Sequence, residues 1–239
     1  MKLAEIVPWG RSFEEYRSMF ALSDDDLGRR ILGCGDGPAS FNAEGTDEGY
    51  RIVSCDPIYQ FGEQEIRRRI HEVYPQIVSS LEQEAENYIW DSMGSVPQLA
   101  DLRMKAMSRF LSDFDRGRQQ GRYVTASLPS LPFADGEFDL ALCSHFLFLY
   151  SSHVSGDMHL AAMREMCRVA SEVRVFPLVS LDGEPSHHLD LVTNTLSADG
   201  LEVSTERVDY RFQKGAETML VVRQQQTKSS ALNPERHHA

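Results

Sequence analysis

Arg30-Ile31-Leu32-Gly33-Cys34-Gly35-Asp36-Gly37 is the stretch on which the fold reading turns. An apolar run enters a loop with glycine at every second position, which reads as a short strand ending in a tight turn. Glycine lacks a Cβ, so the chain can bend sharply there and a flat ligand can lie against bare backbone. Pro38 suits the first turn of a helix, and 38–44 is expected to be helical. A second strand, Arg51-Ile52-Val53-Ser54-Cys55, closes on Asp56-Pro57. A carboxylate at that strand end can accept hydrogen bonds from vicinal ribose hydroxyls, each contributing about 1.5–3 kcal/mol. Glycine loop and strand-end acid together predict a ligand containing adenosine.

Upstream, Ser12 with Glu15 three residues on forms a capping box for a helix over 12–20. Ser23 and three aspartates predict a further helical turn. Downstream, the long connection from 57 to 122 reads as three helical pieces, 61–74, 75–88 and 97–115. Pro75 is expected to start a new piece because it lacks an N–H, and Pro97 suits a first turn. An odd number of passes returns the chain to the bottom of a parallel sheet. Strands are expected at 123–127, 138–143, 172–178, 201–212 and 217–223, with a turn at 213–216 and helices at 157–170 and 189–196. The 138–143 run is almost continuously apolar, as in a parallel strand buried on both faces. Strands alternating with helices define an α/β fold, doubly wound and mostly parallel.

The 239 residues are expected to form one domain over 1–223, with 57–122 as a helical insertion and a disordered polar tail at 224–239. The net charge is −12 and the pI about 5.1. Domains that grip phosphate backbones carry clustered Lys and Arg, so no nucleic-acid partner is expected. No stretch approaches the roughly 18 apolar residues of a membrane span, so no membrane partner is expected either. No leader is apparent at Met1-Lys2-Leu3. Cys34, Cys55, Cys143 and Cys167 form no CxxC pair, so no metal site is expected and the thiols point to a cytoplasmic location.

A dinucleotide fingerprint needs a third glycine, and its two possible places hold Pro38 and Ser40. No Walker lysine follows the loop. Instead, Ile31 to Gly37 resembles motif I of the class I S-adenosylmethionine-dependent methyltransferases. Leu131-Pro132-Phe133-Ala134-Asp135-Gly136-Glu137-Phe138-Asp139 resembles the segment leading into their fourth strand. The resemblance implies a seven-stranded sheet of order 3-2-1-4-5-7-6, with the last strand antiparallel, and S-adenosyl-L-methionine as cofactor. It makes Gly33, Cys34, Gly35, Gly37, Asp56 and Pro57 cofactor-binding, with Asp56 at the ribose hydroxyls. Ser127 stands where the family often has an acid, so adenine recognition falls to the Ser127 hydroxyl and the Leu128 backbone. Ser144 adjoins the cofactor, and Arg11, in a segment that often covers it, faces the methionine carboxylate. Asp56-Pro57-Ile58-Tyr59 follows the second strand, so it does not match the signature of amino-methylating nucleic-acid enzymes.

His145, just past the fourth strand, is the candidate general base because its ring titrates near neutral pH. His153, His187 and His188 are weaker candidates, and Tyr16, Tyr59 and Tyr150 are candidates for orienting an acceptor. The aromatic-rich 57–122 connection predicts a cap over an acceptor pocket or, with equal weight, a dimer interface. The reading is a methyltransferase acting on a small-molecule acceptor, as a monomer or homodimer. The alternatives are an NAD(P)-dependent oxidoreductase and a non-catalytic S-adenosylmethionine-binding module serving a protein partner.

Overall fold

A computed structural model describes residues 7–224. Its seven strands are β1 (Arg30–Cys34), β2 (Arg51–Cys55), β3 (Tyr123–Val124), β4 (Phe138–Ser144), β5 (Ala170–Phe176), β6 (Leu201–Arg207) and β7 (Thr218–Gln224). They lie in the order β3-β2-β1-β4-β5-β7-β6, parallel except for β7, which runs against both β5 and β6. The order is the one expected from the sequence. Gln224 belongs to β7 and not to the polar tail; the rest of that tail, with His237 and His238, lies outside the described residues.

The strand pleat sends alternate residues into different cores. Ile31 packs with α1 (Phe13–Met19) and its aromatic neighbours, whereas Leu32 packs with α6 (Gly156–Val169) and α7 (Leu189–Ala198). The capping box of Ser12 and Glu15 starts α1, and Ser23 with Asp26 starts α2 (Asp24–Leu27) in the same way. The helix after the glycine loop, α3 (Phe41–Asp47), begins later than Pro38 predicts. Pro38 and Ser40 are engaged by the N-terminal segment instead: the Ser40 N–H donates to the Arg11 carbonyl at 2.9 Å.

The 57–122 connection departs most from expectation. It holds two long helices, α4 (Glu63–Gln83) and α5 (Val96–Gln119), and α4 runs straight through Pro75. Ile66, Ile70, Val73, Ile77 and Leu81 form one buried stripe across the proline. Burying such side chains contributes about 1.5–3 kcal/mol each, enough to outweigh the roughly 3 kcal/mol of an interior proline. Two passes still satisfy a parallel crossover because only α5 returns along the sheet, packed on α3 and β3. From the end of β2, α4 leads to Tyr88, which bridges to Gln213 in the β6–β7 connection. β3 pairs at two positions only, since β2 turns away at Asp56. β6 ends at Arg207, ahead of the expected 212, because the following segment bends inward and buries Tyr210 and Phe212. The expected 213–216 hairpin is therefore part of a longer connection.

Replacing Pro75 with Ala gives the helix back a donor for the His71 carbonyl at an exposed position. The variant is expected to be about 1–3 kcal/mol more stable in urea unfolding, with unchanged helix content by circular dichroism.

Candidate active site

The carboxyl ends of β1, β2, β3 and β4 face one cavity of about 490 Å³. Gly35 and Gly37 form its floor with backbone φ of +70° and +52°, a region costly for residues with a Cβ. Gly33 serves another purpose. A Cβ on Gly33 would come within 1.8 Å of the Asp36 carboxylate, so the glycine makes room for that side chain. Asp36 turns back beneath the loop, accepting from the Tyr16 hydroxyl at 2.9 Å and the Ser54 hydroxyl at 2.6 Å. Gly33 and Cys34 are not among the residues that line the cavity, and Cys34 packs in a buried core cluster.

The remaining residues expected at the site converge on it: Arg11, Gly35, Gly37, Asp56, Pro57, Ser127, Leu128, Ser144 and His145 all line the cavity. Asp56 accepts from the Gly37 N–H at 2.9 Å and the Ile58 N–H at 2.8 Å, one bond to each oxygen. Each oxygen keeps a lone-pair direction for a further donor. Burial pushes the Asp56 carboxyl up to about 6, against the pull of those two amides. Burial pushes Asp36 up to about 7, opposed by Ser54 and Tyr16 and reinforced by Asp56.

The N-terminal segment is strapped across the glycine loop. A Cβ on Gly10 would lie 2.1 Å from the Pro38 carbonyl oxygen, so only glycine permits this contact. The strap carries Arg11 into the cavity wall. Its Nη1 donates to the Trp9 carbonyl at 3.2 Å, and its buried Nε has no hydrogen-bond partner among the described residues. Burial, then the neighbouring Arg103, holds Arg11 below its ordinary value. Arg103 is wholly buried, ion-paired to Glu15, whose other oxygen accepts from the Tyr210 hydroxyl at 3.0 Å. Sequence reasoning missed Gly10, Arg103 and Tyr210, and assigned Glu15 only to helix capping.

His145 sits at φ +50°, a strained setting for a residue with a side chain. Its N–H donates to the Phe176 carbonyl at 2.7 Å, and its Nδ1 lies 2.9 Å from the Ser144 hydroxyl. Burial, then Arg11 and Arg103, depresses its protonation far below the usual range, so the ring is neutral near pH 7. Tyr16 and Tyr150 reach the cavity. Tyr59 does not: its hydroxyl donates to the Gly37 carbonyl at 2.7 Å, and its ring packs on Phe110, Phe114 and Tyr123. His153, His187 and His188 lie away from the cavity. Ile77 and Leu81 of α4, with Tyr88 and Phe212, form an apolar wall that the sequence foreshadowed only as a possible cap.

A methyltransferase-domain family model matches residues 101–172, from within α5 into the start of β5. Together with the sheet order, the glycine loop and Asp56, the match defines the class: the chain belongs to the class I S-adenosylmethionine-dependent methyltransferases. Among curated proteins it is similar to uncharacterized protein MJ0045 of Methanocaldococcus jannaschii, 32% identical over 224 residues, 93% of this chain and 98% of that one. Similar solved structures include magnesium protoporphyrin IX methyltransferase of Synechocystis PCC 6803 with bound SAH, at 12% identity, 89% and 82% coverage of this chain and that one and a TM-score of 0.49. Another is a TehB-like SAM-dependent methyltransferase of Corynebacterium glutamicum, at 14% identity, 89% and 87% coverage and a TM-score of 0.45.

Asp36 provides a pH test. Its folded value lies above its unfolded one, so its contribution to stability is complete below about pH 4 and is lost as pH rises toward 7. Asp36→Asn removes the charge that burial opposes. Relative to wild type, the variant is expected to gain stability between about pH 4 and pH 8 in urea unfolding without ligand. A difference independent of pH would contradict the assigned shift.

Proposed function

We propose that this cavity binds S-adenosylmethionine along the β1–β3 side and a small organic acceptor beneath α4. The observation that carries this reading is the pairing of the bare Gly35–Gly37 floor with Asp56, whose oxygens retain acceptor capacity. The donor set fits the cofactor: Asp56 for the ribose hydroxyls, the 127–128 backbone and Ser127 hydroxyl for adenine, and the unpartnered Arg11 Nε for a carboxylate. The bound cofactor supplies an electrophilic methyl group on a positively charged sulfur.

The protein's own contribution is chiefly alignment, which can lower a barrier by several kcal/mol when reacting atoms are held in line. Ser144 and the strained turn at His145 hold the imidazole at the end of β4, at the junction of the two halves of the cavity. From there His145 addresses the acceptor's reacting atom. Helix α4 and Tyr88 exclude water from above, which favours the cap over the dimer-interface reading of 57–122. The acidic surface, net charge −12, disfavours a nucleic-acid acceptor and supports a small one. Reduced cysteines, all four buried and unbridged, accord with a cytoplasmic setting.

Isothermal titration with S-adenosylhomocysteine tests the reading. Wild-type protein is expected to bind it, and Asp56→Ala to weaken binding about 10- to 100-fold, the worth of hydrogen bonds to a charged acceptor. Equal affinity in the two proteins would sink the assignment.

A further inference from the structure

Four polar side chains form one hydrogen-bonded path along the cavity wall. The Tyr16 hydroxyl donates to Asp36 Oδ1 at 2.9 Å and is itself met by the Ser144 side chain. The Ser144 hydroxyl lies 2.9 Å from His145 Nδ1. Asp36, Tyr16 and Ser144 are all buried, and they come from the glycine loop, α1 and the end of β4. His145 Nε2 makes no hydrogen bond among the described residues, and the residue lines the cavity. Two hydroxyls and an imidazole therefore join the cavity to a buried carboxylate.

The path acquires a direction when Asp36 is ionised. A carboxylate only accepts, so its two oxygens take the protons of Tyr16 and Ser54. The Tyr16 oxygen, its one proton committed, is left to accept from Ser144. The Ser144 hydroxyl has one other neighbour, the Met19 sulfur at 3.9 Å, which is a weak acceptor. The Ser144 oxygen then accepts from an Nδ1 proton of His145, which leaves the lone pair on Nε2. When Asp36 is protonated this ordering lapses, because a carboxylic acid can donate to Tyr16 in turn. The imidazole tautomer thus follows the charge on Asp36.

Building on the cofactor reading above, we propose that Asp36 receives, through His145, Ser144 and Tyr16, the proton that the acceptor releases during methyl transfer. The acceptor is then a molecule whose reacting oxygen or nitrogen bears a proton. A lone pair of that atom forms the new bond to methyl as the C–S electron pair goes to sulfur. The acceptor's proton passes to His145 Nε2, the Nδ1 proton to Ser144, the Ser144 proton to Tyr16 and the Tyr16 proton to Asp36. The sulfonium becomes a thioether, and the Asp36 carboxylate becomes a carboxylic acid. Only His145 touches the acceptor; Ser144, Tyr16 and Asp36 act through it as positioning residues.

His145 takes one proton as it gives one, so no imidazolium forms. Burial first, and then Arg11 and Arg103, make a charged ring unfavourable there, and Tyr210 also faces the ring. Arg11 faces Tyr16 as well. Burial brings Asp36 to about 7, where it can take up and return a proton near neutral pH. Its other titratable neighbours, Asp56, Tyr59, Cys34 and Cys143, carry no positive charge. Beside the positive sulfur of the cofactor Asp36 stays ionised; once transfer leaves that sulfur neutral, Asp36 holds a proton more tightly.

The test is nitrogen NMR on ligand-free protein labelled at the histidine rings, with His145 assigned through His145→Gln. At about pH 8 the ring is expected to carry its proton on Nδ1, and to lose that preference as pH falls through about 7, the two nitrogens shifting in opposite directions. Asp36→Asn and Tyr16→Phe are each expected to abolish this response, the second while the Asp36 charge is kept. Ser144→Thr, which retains a hydroxyl, is expected to preserve it. A ring protonated on Nε2 throughout, a ring indifferent to pH, or a response unchanged in Tyr16→Phe overturns the path. Calorimetry in buffers of different ionisation heat counts the protons exchanged on binding. S-adenosylmethionine is expected to displace roughly 0.4 of a proton more than S-adenosylhomocysteine at about pH 7, and the difference is expected to vanish in Asp36→Asn. Equal exchange in wild-type protein overturns the role of Asp36. Failure of both ligands to bind is a separate result: it overturns the cofactor reading, and the proton path with it, even where the NMR response is seen.

Discussion

The Asp36 carboxylate is folded back under its own loop, and much of the site depends on that placement. It can lie there only because Gly33 offers no side chain, and it is held by hydroxyls from two other elements, Tyr16 of α1 and Ser54 of β2. Three pieces of the molecule are thereby fixed relative to one another: the glycine loop, the first helix and the neighbouring strand. With α1 in place, the strap that precedes it crosses Pro38 through Gly10 and delivers Arg11 to the cavity. With the loop in place, the Gly37 N–H meets Asp56. A buried polar group of this kind is expensive unless satisfied, and here both oxygens are satisfied.

A second network sets the electrical character of the far side of the cavity. Glu15, Arg103 and Tyr210 come from α1, α5 and the β6–β7 connection, so one ion pair ties the first helix to the insertion and to the last connection. Burial first, and then the nearby Arg11 and Arg103, keep the His145 imidazole uncharged. The left-handed turn at His145 is held by the Phe176 carbonyl and by Ser144. Strain of this kind costs on the order of 1–3 kcal/mol and persists only where surrounding contacts over-determine it.

Much of this was legible in the chain because local pattern and global fold agree. The apolar runs at 30–34, 51–55 and 138–144 announce parallel strands, and the residues that follow them must share one edge of the sheet. Gly35, Gly37, Asp56, Ser144 and His145 come together at that edge. At Gly33 the structure shows room made for the protein's own carboxylate, which spacing alone does not distinguish from room for a ligand. The continuity of α4 through Pro75 was not legible, because one missing hydrogen bond is visible locally whereas the buried stripe that outweighs it depends on partners far along the chain. Arg103 gave no signal at all: an arginine amid a helix reads as surface until Glu15 and Tyr210 are known to surround it. The pairing of Tyr88 with Gln213 was likewise invisible, since neither lies in a run with strand periodicity.

The two margins of the sheet end differently, and both bear on how the protein behaves in concentrated solution. β3 contributes only two residues, too short a rail for another chain to extend. β6 runs for seven residues at the opposite margin but carries Glu202, Glu206 and Arg207. A second copy aligned in register would set like charges side by side. Neither border offers the long, flat, uncharged template on which fibrous assembly is seeded, so colloidal stability is written into the outermost strands of the fold.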